Sequence, residues 1–310
     1  MRITSVAENA DRIAEVTSGI VKSFLTQLES KLFPEGRGDP FANSCKQSSE
    51  PRLRTKNCTS RASLTLEERA EKTSDPTAKN LAYVEAAIAT NVNGYLRAKS
   101  IAEKISEETL KADAISFVVY RAALGFVRKK ELEKAAELTP QITNNLRRAM
   151  VEIAIAQSLL SDQNSKGADA DEIKLNQQKG LDLLSEVERE LRKVEPSPNV
   201  AKILLGRTAL IARLDSNQGL LALEQSLQSI NKLERFDLRD SSPPKLGIKG
   251  LWRTENLADA PRIGFSFRSA IQPLIPSEFD DLVNLAESLK LREVRGIARL
   301  EIARLYLETK

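Results

Sequence analysis

The chain has 310 residues, 41% hydrophobic and 29% charged, with 47 basic against 43 acidic side chains, a net charge of +4 and no histidine. That composition supplies a core for one or two domains, and no apolar run approaches the roughly 20 residues of a membrane helix. The lack of histidine removes Ser-His and Cys-His nucleophile pairs and every His-ligated metal. Two cysteines alone hold neither zinc nor an iron–sulfur cluster, so no cofactor is expected.

From the N-terminus, Val6, Ala10, Ile13, Ile20, Phe24, Leu28 and Leu32 recur at helical spacing, which predicts an amphipathic helix over residues 1–33. Acids at Glu8, Asp11 and Glu15 and the lack of an apolar run there exclude a secretory signal as the chain is written. The compartment read from this is cytoplasmic, or secreted if a signal peptide precedes this start. Residues 34–74 form a polar loop: its first thirty or so are rich in Ser, Asn, Pro and Arg, too poor in large apolar side chains to offset their ordering entropy. Near its end, Thr65 and Glu68 make a capping box that marks a short helix. Cys45 and Cys58 lie in this loop, either bridged in an oxidising compartment or as two free thiols.

Proline placement organises the rest of the chain. Asp75-Pro76 is a helix start, with a capping carboxylate and then proline at the first helical position. Proline-free amphipathic stretches at about 76–92, 95–105, 107–129, 131–138, 144–160, 171–193, 199–214 and 218–233 then predict helices joined by short turns, a repeat region over 75–235. Residues 236–276 hold five prolines and little periodicity, and Ile263, Phe265 and Phe267 alternate as a short extended piece would. A helical hairpin closes the chain at 277–310. The fold class is all-α.

Internal repetition is the most informative feature. Laying residues 83–106 over 120–143 matches Tyr83 with Tyr120, Ala86 with Ala123, Ala98 with Ala135, Ile101 with Leu138 and Ile105 with Ile142, at an offset of 37. A second echo lays 101–114 over 285–298, pairing Ala102 with Ala286, Ile105 with Leu289 and Ala114 with Ala298. Small residues at fixed places let helices approach, and the aliphatics between them fill the groove. A helix pair of this size cannot bury its apolar face alone, so pairs stack into an α-solenoid.

Asn93-Gly94-Tyr95-Leu96-Arg97-Ala98 resembles the turn and second-helix start of a tetratricopeptide repeat (TPR), and Ala86 sits where that family keeps a small residue in its first helix. The period is longer here, the family's tryptophan is missing and no proline closes the repeat, so the resemblance is to a degenerate, TPR-like form. It covers 75–160 well, 171–233 loosely and 277–308 partly. It implies a scaffold or peptide-binding role without chemistry. Repeats of this kind occur in many bacterial proteins, so the implied function is generic.

Candidate site residues have a functional and a structural reading. Arg292, Arg295 and Arg299 share a helix face and either bind a carboxylate or phosphate or form a solvated face among Glu293 and Glu301. Arg128-Lys129-Lys130 and Arg147-Arg148 either touch nucleic acid or mark helix ends. Trp252, with Arg253 beside it, either anchors a partner or pins a long loop. Tyr83 and Tyr120 either line a groove or pack as core. Acid pairs such as Glu107-Glu108 and Asp280-Asp281 fall at helix starts, where open N–H groups favour them, and no P-loop or Gly-rich nucleotide motif is present.

The leading functional reading is a non-catalytic repeat scaffold for a protein or peptide partner, with no membrane. The runner-up is a nucleic-acid-binding helical repeat, which the interleaved charges disfavour because such proteins carry a clustered basic surface. The third is an α-helical enzyme working through carboxylate, Lys or Tyr groups; a deep pocket holding a strongly shifted Glu or Lys would favour it.

Overall fold

The computed structural model describes residues 66–90, 94–161, 170–248 and 263–309, all within the compact unit Thr59–Lys310. The expected N-terminal helix over 1–33, most of the polar loop with Cys45 and Cys58, and Trp252 with Arg253 lie outside the described residues. Among the described residues the structure is helices joined by turns and irregular segments, with no strand.

A short helix covers residues 66–72, where the capping box places one. It is docked through fully buried Ala70 and through Glu67, which accepts from Lys104 Nζ at 2.7 Å. The helices then follow as α1 (Pro76–Ala89), α2 (Tyr95–Glu103), α3 (Glu108–Arg128), α4 (Leu132–Leu138) and a 3₁₀ turn at Thr139–Gln141. After them come α5 (Asn145–Ser161), α6 (Ala170–Leu191), α7 (Pro198–Ile211), α8 (Ser216–Ile230), α9 (Phe267–Ile271), α10 (Phe279–Glu287) and α11 (Arg292–Glu308). Caps set the starts. Asp75 Oδ2 accepts from the Ala78 amide at 2.7 Å with Pro76 behind it, Ser197 Oγ from Val200 at 3.3 Å before Pro198, and Asp215 Oδ1 from Gln218 at 3.0 Å. α3 ends where Lys130 takes a φ of 63° and the Glu131 amide reaches back to Phe126 O at 3.0 Å.

Each odd-numbered helix packs on the next odd-numbered one; α2, α4 and α6 each pack between two successive odd helices, while α8 packs on α7 and α10, and α10 on α11. The hairpins are antiparallel. In α5 and α6, Arg148 meets Glu190 and Leu160 meets Gly180, so contacts climb one helix while descending the other. The residues matched at the offset of 37 are all buried: Tyr83 and Tyr120, Ala86 and Ala123, Ala98 and Ala135, Ile101 and Leu138, Ile105 and Ile142. The second echo is also geometric. Lys104 N donates to Ile101 O at 3.1 Å after α2, and Ser288 N donates to Leu285 O at 3.1 Å after α10. The α10–α11 turn therefore repeats the α2–α3 turn, and α11 joins the odd row through α9.

The core forms two clusters, one centred on α1 to α6 and one on α8 to α11. Helix α7 belongs to both, with Ile203 and Leu204 in the first and Ala201 and Leu205 in the second. Every residue of α7 from Val200 to Ile211 is buried, the mark of a helix covered on all sides. The alternating Ile263, Phe265 and Phe267 are all buried, but the chain there is irregular and then enters α9. The spacing reports contact with α7, whose Gly206 leaves room for the Phe265 ring, and not a strand.

Candidate functional site

Near their starts, α5 and α7 carry cations against the helix dipole. Arg147 is the third residue of α5 and Lys202 the fifth of α7. Backbone N–H groups at a helix start already present positive charge, so cations there need oxygen partners. An extended strap, residues 240–248, supplies them across two successive odd helices, α5 and α7. Arg147, 1% exposed, donates from Nε to Leu246 O and from Nη2 to Gly247 O, each at 2.9 Å. Its Nη1 donates to Asp113 Oδ1 of α3 at 2.6 Å, and its guanidinium lies 5.0 Å from the Phe117 ring centre. One residue of α3 thus neutralises the charge, while two donors are left to hold strap carbonyls.

On α7, Asn199 grips main chain and Lys202 grips both side-chain and main-chain oxygens. Asn199 Nδ2 donates to Lys245 O at 2.8 Å, and the Lys245 amide donates to Asn199 Oδ1 at 3.0 Å. Lys202 Nζ donates to Asp240 Oδ2 at 2.6 Å, to Ser242 Oγ at 2.8 Å and to Ser242 O at 2.9 Å. The Lys202 ammonium, then the Ser242 hydroxyl, hold the Asp240 carboxyl down to about 2. Ile248 is buried in the first core cluster and Leu246 packs against it. Pro243 and Pro244 suit the extended path, since proline offers no amide and disfavours a helical residue before it.

The same device recurs where turns meet helices. Asn80 Oδ1 accepts from the Ser106 amide at 3.0 Å, and Asn231 binds Ser288 O at 2.9 Å and the Lys290 amide at 2.8 Å. In this fold asparagine reads extended or turning main chain.

A second concavity lies between α4, α5 and α6, about 900 Å³, because α4 has seven residues and α6 has 22. Ile155, Leu159 and Leu183 contribute apolar surface to it, and Lys134, Lys179 and Glu186 are among its charged residues. Glu152, one turn before Ile155 on α5, is buried with Oε2 lacking a hydrogen-bond partner. Burial pushes its carboxyl up to about 7, opposed by Arg148 and reinforced by Glu186 and Glu190.

Apart from Arg147, the tyrosines and arginines singled out from sequence and described in the structure fall elsewhere. Tyr83 and Tyr120 are core, Tyr83 beneath Lys104 Nζ at 5.9 Å and Tyr120 against Phe117 at 6.1 Å. Arg295 and Arg299 both turn to Glu287 of α10, Arg295 at 3.9 Å, and so fasten α11 to α10, while Arg292 is exposed. Arg147, read as a helix-end cation, is the buried hub of the strap contact. Asn199 and Lys202 were not singled out. A signal existed for two of the three: Lys202 interrupts an apolar helix, and Arg147 shares its helix face with Met150, Val151 and Ala154.

Comparison of the chain with protein-family models, with curated proteins and with solved structures returns no match. The class defined here is therefore structural: an all-helical protein in which neighbouring helix pairs pack in sequence.

Proposed function

We propose that this chain is a non-catalytic, TPR-like scaffold that binds a protein or peptide partner. The observation that carries the reading is the grip on the strap. Asn199 takes both the amide and the carbonyl of Lys245, and Arg147 takes two successive carbonyls, so side chains of the stacked helices recognise extended main chain. Protein is favoured over nucleic acid because the buried cations already face carboxylates: Arg147 meets Asp113, Lys202 meets Asp240 and Arg207 meets Glu188.

The test presents the labelled full chain to an array of extended peptides, with single- and double-stranded nucleic acid alongside. Retention of particular peptides, with modest dependence on salt, is the expected result. Retention of nucleic acid alone, falling steeply with salt, would transfer the function to the runner-up reading.

A further inference from the structure

Resting on that reading, we infer that the strap 240–248 is a built-in, exchangeable ligand, and that the partner is an extended segment of the same pattern. The pattern is an acidic residue, a spacer, Ser-Pro-Pro, a residue gripped only by its main chain (here Lys245), then an apolar residue, glycine and a second apolar residue.

Three observations point to exchange. The strap is held by side chains: the described hydrogen bonds that tie it to α5 and α7 run through Arg147, Asn199 and Lys202. Asp240 and Ser241 at its start and Lys245 and Gly247 further along are exposed, so a competing segment can begin to displace it there, although Pro244 and Ile248 are buried. An empty receptor side is costly. Without the strap, Arg147 keeps Asp113 but loses both carbonyls, and Lys202 loses all three of its oxygen partners, leaving donors unpaired in a buried setting. Replacing one occupant by another avoids that penalty, because a new segment restores the same bonds.

The bonds also state what a partner must carry. Lys202 requires a carboxylate close to a hydroxyl or carbonyl. Asn199 requires a free amide and carbonyl on one residue, five positions after the acid. Arg147 requires the next two carbonyls, and Ile248 marks an apolar anchor in the core. A tethered strap acts at an effective concentration in the millimolar range, so a free partner binds the resting chain weakly and a loosened chain well.

The experiment uses a labelled peptide of residues 239–248 and the full chain in three forms: unmodified, with Asp240→Ala and Leu246→Ser in the strap, and with Asn199→Ala added to that pair. The peptide is expected to bind the loosened chain at least about tenfold tighter than the unmodified one, and the Asn199→Ala addition to remove at least about tenfold of the gain. Equal binding to all three forms, or none, overturns the inference. So does conversion of the loosened chain to a dimer, which would assign the site to a strap exchanged between two copies. A measurement without substitutions guards against misfolding. In the unmodified chain the Lys245 amide should exchange with solvent at least about 100-fold faster than the α7 amides of Leu204 and Leu205, because the strap opens without the helices. Equal rates would make the strap part of the cooperative core and overturn exchangeability. If the strap peptide fails while other peptides on the array still bind, this inference falls and the scaffold reading stands; if the array is blank as well, both fall.

Discussion

Two glycines in helix interiors separate packing from propensity. A Cβ on Gly206 would lie 2.6 Å from the Phe265 ring, while one on Gly296 would meet nothing within 4 Å. Alanine is the better helix former at both, so only the neighbourhood decides. Gly206→Ala should cost about 1–3 kcal/mol by overpacking, and Gly296→Ala should gain about 0.5–1 kcal/mol, both read from urea melts. Glu152 makes a third case. Its carboxyl titrates near 7 in the fold against 4.5 ordinarily, so the folded state binds the proton more tightly than the unfolded chain. Stability is then greatest below about 4.5 and falls as pH rises through about 7. Glu152→Gln removes that loss, and should stabilise by about 2–3 kcal/mol near pH 8 and by almost nothing near pH 4. A gain independent of pH would show that the carboxyl is not desolvated.

At the scale of elements, the repeat register rests on small residues where helices cross. Ala98 of α2 and Ala135 of α4 are both buried, at 3% and 0% exposure. Ala98→Leu and Ala135→Leu should each cost about 1–3 kcal/mol, because the neighbouring helix leaves no room; unchanged denaturant midpoints would contradict the register. The strap makes the companion case. Arg147→Met removes the buried ion pair to Asp113 and the donors that the Leu246 and Gly247 carbonyls accept from, and should cost about 3 kcal/mol. The helices and their repeat were legible in the sequence because proline clearance, caps such as Asp75-Pro76 and matched alanines are local signals. The strap was not. Nothing local tells an extended segment with five prolines nearby which helices it will cross, and Asn199 looks like any polar residue of a first turn. Arg147 was visible as a charge on an apolar face, yet its partner Leu246 lies 99 residues away in sequence. The tyrosines show the limit of the other signal: a matched position reports burial and does not distinguish core from groove.

For the molecule as a whole, α7 is the joint. It contributes to both core clusters, receives Phe265 from one side and supplies Asn199 and Lys202 to the strap. Sequential pairs would otherwise contact only their neighbours, as in repeat proteins generally. The strap adds a longer-range tie, joining residues after α8 to α5 and α7 directly through one line of bonds, and to α3 through Arg147, which also pairs with Asp113. The central claim is that this line exists, and zero-length carbodiimide cross-linking of the unmodified chain tests it most directly. The reagent joins a lysine amine only to a carboxylate in contact with it, and Lys202 Nζ stands 2.6 Å from Asp240 Oδ2. The account predicts a Lys202–Asp240 linked peptide in the monomer fraction by mass spectrometry, beside the surface pair Lys134–Glu131. Recovery of the Lys134–Glu131 link without the Lys202–Asp240 link would contradict it.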